Sequence, residues 1–279
     1  MVDRQAQNHI HYLEPIPSLH PTGGRLVKPV RAILFDIYGT LFISNSGDIG
    51  TAAKNLQGVS SLGDVCRRYD IDASPDQIAQ RLFQCIRATH ERKRKIGIAY
   101  PEIEIDTVWQ SILGWQDRNQ IRKFALEYEW RVNPSYPMPG LDETLRTIRH
   151  RDVVMGIISN AQFFTPLLFK WFLGDFPTAL GFAPDLTVYS YQCGEAKPSG
   201  RLFNHCAKRL NEMGLSPESI VYVGNDMLND IVPAAKAGWQ TALFAGDRRS
   251  LRLRRDVEEC RMIHPNLVIT DLRQLLDWL

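Results

Sequence analysis

Long apolar runs are absent from this sequence. No stretch reaches the roughly 18 uninterrupted apolar residues that a membrane-spanning helix needs. The first residues include Asp3, Asn8 and Glu14 and lack the charged-then-apolar layout of a signal peptide. We therefore expect a cytoplasmic protein that has no membrane partner.

Cysteine and net charge are both low. The five cysteines of the 279-residue chain are scattered and form no C-x-x-C pair, which argues against a zinc site or a disulfide framework. A formal charge of +2 is too small to indicate nucleic-acid binding. The basic run at 248–255 is followed at once by Asp256, Glu258 and Glu259, which predicts a mixed charged helix rather than a nucleic-acid surface.

Short apolar runs recur along most of the chain, and helical patterns separate most of them. This alternation predicts an α/β fold with a doubly wound, Rossmann-like parallel sheet. The first run, Ala32-Ile33-Leu34-Phe35, has the continuous apolar character of a strand that is buried on both faces. The later predicted strands lie at 153–158, 186–189, 220–223, 241–244 and 267–269.

Two segments depart from this alternation. Residues 1–28 are rich in proline and glycine and read as an extended N-terminal arm. Residues 44–137 show helical spacing and no convincing strand, which predicts an inserted α-helical cap, with helices that begin near Ser74, Ile105 and Asp117. The core then comprises residues 29–43 and 138–279.

Polar side chains follow four of the predicted strands. Because the carboxyl ends of parallel strands form the ligand-binding edge of such a sheet, we expect these side chains to meet. The set comprises Asp36 and Thr40, then Ser159 and Asn160, then Lys197, and finally Asn225, Asp226 and Asp230.

In order, these segments resemble the four motifs of the haloacid dehalogenase superfamily. The matching segments are Phe35-Asp36-Ile37-Tyr38-Gly39-Thr40-Leu41, Ser159-Asn160, Lys197-Pro198 and Gly224-Asn225-Asp226-Met227-Leu228-Asn229-Asp230. The helical segment also resembles that family's cap inserted after the first motif. The resemblance implies a Mg²⁺-dependent phosphatase that acts through an aspartyl-phosphate on a small phosphorylated substrate.

The residue types suit that chemistry. A carboxylate such as Asp36 can attack phosphorus and divide a hydrolysis into two steps. Lys197 can supply a fixed cation, while Thr40 and Ser159 can donate to phosphoryl oxygens. Asn160 is expected to shape the substrate-binding loop beside Ser159.

The implied metal ligands are Asp36, the Tyr38 carbonyl, Asp226 and Asp230. Asp226 and Asp230 are four positions apart and can share one face of a helical turn. Asn225 stands where many members of the family have the first acid of this motif, so we take Asp226 as the direct ligand and Asp230 as a direct or supporting one. The alternative is that Asp226 caps the following helix.

Tyr38 departs from the phosphatase pattern, which has a second aspartate at this place as acid and base. Asp-x-Tyr-Gly-Thr resembles instead the family's 2-haloacid dehalogenases, which work without a metal. That alternative needs a cationic clamp for the substrate carboxylate, for which Arg67 and Arg68 are candidates. A third interpretation is a protein that binds metal or phosphate with little catalysis. The sequence does not fix the oligomeric state.

Overall fold

The computed structural model describes residues 12–27, 29–44 and 62–279. Within them, the strands of one seven-stranded sheet are β1 (Gly23–Gly24), β2 (Ala32–Phe35), β5 (Val154–Ser159), β6 (Phe182–Tyr189), β7 (Ile220–Gly224), β8 (Gln240–Phe244) and β9 (Leu267–Ile269). Their order is β1-β9-β8-β7-β2-β5-β6, and every pairing except that of the edge strand β1 is parallel. The predicted α/β class and mostly parallel sheet are therefore confirmed.

Helices cover the sheet and build the insert. Those of the insert are α1 (Gly63–Arg68), α2 (Pro75–Lys95), α3 (Ile105–Leu113) and α4 (Arg118–Val132). Those of the core are α5 (Leu141–Arg149), α6 (Thr165–Leu173), α7 (Ser190–Cys193), α8 (Gly200–Glu212), α9 (Val232–Lys236) and α10 (Glu258–Met262), with short 3₁₀ segments at Pro217–Ser219 and Leu272–Trp278 and a π-helical turn at Met227–Ile231. No helix in these ranges is long and apolar enough to cross a bilayer.

The central strand β2 is buried on both faces. All four of its residues are at most 1% exposed, and it pairs with β5 on one side and β7 on the other. Its continuous apolar sequence therefore satisfies a strand that has no solvated face. Because β2 is central, the residue that follows it lies near the middle of the carboxyl edge.

The described part of the helical insert has its own apolar core. Trp109 and Phe124 are fully buried there, with ring centroids 4.9 Å apart. Helix α2 begins with a capping box in which Ser74 and Gln77 satisfy each other's backbone N–H groups, as the Ser-Pro start predicts. Two antiparallel strands, β3 (Phe42–Ser44) and β4 (Ser135–Pro137), join the insert to the core.

The predicted boundaries of arm, core and cap remain predictions. Residues 1–11, 28 and 45–61 of those calls lie outside the described residues. The described arm is extended and adds β1 to the sheet edge. It is held by the Ile16 N–H, which donates to Asp247 at 3.0 Å, and by the Ser18 hydroxyl, which donates to the Ala245 carbonyl at 2.5 Å.

The prediction of a charged helix over the basic run at 248–255 is wrong. Residues 250–254 are not helical, and Arg252 forms a parallel β-bridge with Asp226, so that helix α10 begins only at Glu258. Backbone pairing with the end of β7 outweighs the local helical preference here. We call residues 250–254 the strap.

Candidate active site

The carboxyl edge of the sheet brings the predicted segments together. Asp36 directly follows β2, Ser159 ends β5 and Asn225 directly follows β7, and these three strands are neighbours. Lys197 comes from the loop that follows β6 and α7, and its side chain reaches the same edge. The four segments therefore meet at this one edge of the sheet.

A buried lysine joins two carboxylates at the centre of the site. Lys197 Nζ lies 2.7 Å from Asp36 Oδ1 and 2.6 Å from Asp230 Oδ1. The lysine side chain is only 3% exposed, and that of Asp230 is 1% exposed. Charges this deep in a protein persist only when they are paired and hydrogen-bonded, so the three groups form one unit.

The protonation of this unit follows from its contacts. Burial alone would lower the pKa of Lys197, but the Asp230 and Asp36 carboxylates raise it above its ordinary value. Burial raises the pKa of Asp230, and Lys197 opposes that shift. Lys197 is accordingly a permanent cation at neutral pH, with Asp36 as the more exposed of its two partners.

Amide side chains position the groups around the nucleophile candidate. The Asn160 Oδ1 accepts the Lys197 N–H at 2.7 Å, which fixes the backbone that carries the lysine. Thr40 Oγ1 donates to Asn225 Oδ1 at 3.0 Å. Ser159 is fully buried, and within the described part of the chain its hydroxyl makes a single long contact, 3.5 Å, with the Asn160 carbonyl.

Of the four predicted metal ligands, Asp226 and Asp230 have their oxygens occupied by protein donors. Asp230 Oδ2 accepts the N–H groups of Asn225 and Asp226 at 3.0 and 2.9 Å, while Oδ1 faces Lys197. Asp226 caps the turn at Met227–Ile231, as the alternative predicted, and is paired with Arg254. No group of three or more His, Cys, Asp or Glu side chains that could hold a metal occurs in the described ranges.

The predicted donor set therefore does not fit a metal ion in this arrangement. Mg²⁺ prefers free carboxylate and carbonyl oxygens in octahedral geometry. Asp36 Oδ2 and the Tyr38 carbonyl accept no hydrogen bond within the described ranges, but they contribute only one carboxylate between them. We derive no chemical step through a metal.

The Tyr38 hydroxyl is not available as a proton donor at the site. Its hydroxyl lies 3.0 Å from Thr165 Oγ1. Burial raises the pKa of the phenol well above its ordinary range, and the nearby Glu129 carboxylate raises it further. The side chain lines a cavity between core and insert together with Glu129 and Trp130. It cannot replace the missing acid and base at neutral pH.

Comparison with known proteins agrees with this geometry. The family model for haloacid dehalogenase-like hydrolases matches residues 30–238. The chain belongs to this family. A glyceraldehyde 3-phosphate phosphatase of Methanopyrus kandleri is 24% identical over 257 residues, which cover 89% of this chain and 96% of that protein.

Solved structures of this hydrolase family share the fold. A 2-haloacid dehalogenase from Pseudomonas syringae pv. Tomato DC3000 aligns with a TM-score of 0.54 and 17% identity over 90% of this chain and 98% of that one. A HAD phosphatase from Thermococcus onnurineus aligns with a TM-score of 0.53 and 18% identity, over 88% of this chain and 97% of that one. The TM-scores above 0.5 establish the common fold, and at these identities the comparison shows the fold alone.

The sequence interpretation of this hydrolase missed a group of polar residues between insert and core. Glu102 Oε2 accepts the Ser190 hydroxyl at 2.6 Å. The Gln162 amide accepts the Ile105 N–H and donates to the Ile103 carbonyl, both at 3.0 Å. These contacts hold the segment before α3 against the loop after β5, beside the active site. No local sequence signal marks them, because each is an isolated polar residue.

The cationic clamp suggested for a haloacid substrate is not formed by the predicted residues. Arg67 pairs with Asp64 and Arg68 with Glu127, and all but Glu127 are well exposed. Their charges are therefore used on the surface of the insert. Arg254 is not among the site residues predicted from the sequence, although its guanidinium pairs with Asp226.

Proposed function

We propose that this hydrolase uses Asp36 as a covalent nucleophile toward a small phosphate monoester. The observation that carries the proposal is the contact between Lys197 Nζ and Asp36 Oδ1. It holds a carboxylate, only 7% exposed, at the carboxyl edge of the sheet and pairs it with a buried cation. The full-length similarity to a protein named as a phosphatase supports phosphorus, rather than carbon, as the atom attacked.

The reaction then has two balanced steps. Asp36 Oδ2, which is not the oxygen bound to Lys197, forms a bond to phosphorus while the ester P–O bond breaks, and the leaving alkoxide takes a proton from water. Water next attacks the aspartyl-phosphate, releasing inorganic phosphate and the free carboxylate. Thr40 and Ser159 are proposed to donate to the phosphoryl oxygens, and Asn160 to fix the Lys197 backbone that positions the nucleophile.

A second candidate is halide displacement from a 2-haloacid, by attack of Asp36 on carbon. Tyr38 favours it, because its phenol is turned to Thr165 and supplies no acid for an alcohol leaving group. Halide departs without a proton. The occupied oxygens of Asp226 and Asp230 are also consistent with a reaction that needs no metal.

The deciding experiment measures phosphate release from a panel of phosphate monoesters and chloride release from 2-chloropropionate, each with Mg²⁺ and with EDTA. Asp36→Asn is the blank. We expect phosphate release that falls at least about 10³-fold in this variant. Chloride release that survives EDTA would transfer the assignment to the dehalogenase reaction. Full activity in Asp36→Asn would show that Asp36 is not the nucleophile.

Tyr38→Asp tests the missing acid. An aspartate here would supply the proton that a poor leaving group needs, so we expect turnover of alkyl phosphates to rise by about 10-fold to 10²-fold. 4-Nitrophenyl phosphate, which leaves without protonation, should change little. An equal change for both substrates would show that the substitution acts by some other route than proton donation.

A further inference from the structure

The Asp226 carboxylate is saturated with hydrogen-bond donors. Its Oδ1 accepts the N–H groups of Leu228 at 2.9 Å and Asn229 at 3.3 Å, and Nε of Arg254 at 3.1 Å. Its Oδ2 accepts Nδ2 of Asn229 at 3.1 Å and Nη2 of Arg254 at 2.6 Å. A carboxylate offers about four lone-pair sites, so no site is left for a metal ion.

Arg254 meets this carboxylate with two parallel N–H groups, the strongest geometry for an arginine–carboxylate pair. Asp226 is 6% exposed as a residue, and the arginine side chain is 34% exposed. The pair is thus sheltered at one end and open to solvent at the other. A solvent cation that competed for Asp226 would have to displace a tethered guanidinium.

The strap fixes the position of Arg254. Within it, the Arg252 N–H donates to the Asn225 carbonyl at 3.0 Å, and the Met227 N–H donates to the Arg252 carbonyl at 2.9 Å. Arg254 itself has a φ of +48°, in the left-handed region that a non-glycine residue adopts at an energetic cost. The strained backbone and the β-bridge aim this side chain at Asp226.

The strap also contacts the loop that follows Asp36. The Ser250 hydroxyl donates to the Gly39 carbonyl at 3.2 Å, and its carbonyl accepts Nδ2 of Asn225 at 2.6 Å. Gly39 has a φ of +83°, and a Cβ there would lie 2.5 Å from the Ser250 Cβ. The strap therefore touches the segments of both Asp36 and Asp226, and it lies beyond the residues that the family model matches.

Charge balance gives this contact a chemical meaning. Among the described residues, the three carboxyl groups of Asp36, Asp226 and Asp230 contact two basic side chains, Lys197 and Arg254. Loss of Arg254 would remove one of these two positive charges and so make the site more attractive to a divalent cation.

We propose that Arg254 is a built-in cation that withdraws Asp226 from metal binding and balances its charge in place of a metal ion. Arg254 is a positioning residue and does not touch the reacting atoms. The role of the balanced carboxylate in turnover rests on the proposed function, but the metal-binding test does not.

The test titrates the folded full-length protein with Mn²⁺ alone and follows free Mn²⁺ by electron paramagnetic resonance. Arg254→Gln releases Asp226 from the guanidinium and removes one positive charge from the site, so we expect it to bind Mn²⁺ about tenfold or more tightly than the unsubstituted protein does. Arg254→Lys keeps the charge and loses the two-pronged geometry, so its affinity should remain near that of the unsubstituted protein.

Two controls separate this effect from general changes in charge or folding. Arg255→Gln removes the same charge from an exposed neighbour that makes no contact with Asp226 in the described chain, and it should leave Mn²⁺ affinity unchanged. The double variant Asp226→Asn with Arg254→Gln keeps the cap but removes the carboxylate, and it should lose the gain. Circular dichroism establishes that each variant is folded.

Equal Mn²⁺ affinity of the unsubstituted protein and Arg254→Gln would overturn the inference, as would a gain that survives in the double variant. Failure of the proposed function gives a different pattern. In that case the Mn²⁺ results hold, but no phosphate ester is hydrolysed by any of the proteins. Phosphate release that depends on Asp36, together with equal Mn²⁺ affinities, would keep the function and discard the role of Arg254.

Discussion

At the carboxyl edge of the sheet, two basic side chains pair with aspartates, one in the interior and one closer to solvent. Lys197 is 3% exposed and bridges Asp36 and Asp230, so a single cation serves two carboxylates. Arg254 is 34% exposed and pairs with Asp226, which also accepts N–H groups of a helical turn. The inner pair holds Asp36, the proposed nucleophile, in place, while the outer pair occupies oxygens of Asp226 that face partly exposed surroundings.

Glu129 provides a third case, a buried carboxylic acid that has no basic partner among the residues the structure describes. It accepts Nδ2 of Asn133 at 2.8 Å in the cavity beside Tyr38. Burial raises its pKa to about 7. Comparing the three carboxylate environments therefore predicts three sizes of effect.

Removal of Lys197 should have the largest effect. Lys197→Met leaves two carboxylates in the interior without their cation, and breaking a buried pair in this way costs about 3 to 5 kcal/mol. We expect urea unfolding to show a loss of that size, together with loss of activity. A loss below about 1 kcal/mol would show that water or a proton compensates the two carboxylates, and the contrast with Arg254 would disappear.

Glu129→Gln should have an intermediate, pH-dependent effect. In the unfolded chain Glu129 releases its proton near its ordinary pKa of 4.5, and in the folded protein near 7. Because the folded state holds the proton more tightly, stability is highest below about pH 4.5, falls as the pH rises towards 7 and then levels off. Glutamine has no proton to lose and can still accept from Asn133.

At pH 8 we therefore expect Glu129→Gln to be more stable than the unsubstituted protein by about 3 kcal/mol, or on the order of 6 to 10 °C in Tm. At pH 4.5 the two should have similar Tm values. Thermal unfolding of both proteins between pH 4.5 and 8 measures this. Parallel profiles across that range would show that Glu129 is ionised in the folded state at every pH tested.

Arg254→Gln should have the smallest effect on stability. The guanidinium is about one third exposed, so its attraction to Asp226 is screened, and its loss should cost about 1 kcal/mol. The turn N–H groups remain to satisfy the carboxylate. Urea unfolding of Arg254→Gln and Lys197→Met under the same conditions compares the two losses in the free energy of unfolding. A cost equal to that of Lys197→Met would mean that the outer pair is as deeply desolvated as the inner one.

Much of the fold follows from sequence patterns that act locally. The short apolar run ending at Phe35 predicts a buried strand, as found, and Ser74-Pro75 with Gln77 starts a helix through its own capping bonds. The polar residues after the strands could be expected to meet because parallel strands place their carboxyl ends at one edge. Asp36, Lys197 and Asp230 do so.

The use of each carboxylate could not be predicted in this way. Asp226 and Asp230 look alike in the sequence, four positions apart, and suggested a shared metal. In the fold, Asp230 turns to Lys197 and two backbone N–H groups, whereas Asp226 turns to Arg254. The two cations that distinguish them are distant in sequence: Lys197 is 33 positions from Asp230, and Arg254 is 28 positions from Asp226. Glu102 and Gln162 likewise acquire their roles from partners in another part of the chain.

The sequence by itself determined the positions of the main strands, a largely helical insert and the edge of the sheet where the chemistry lies. Each of these depends on apolar periodicity and on local capping, which act over a few residues. Only the tertiary structure decided which cation faces which carboxylate and that a charged run becomes a strap rather than a helix. Those outcomes depend on pairing between distant segments, where the geometry of the folded backbone outweighs local preference.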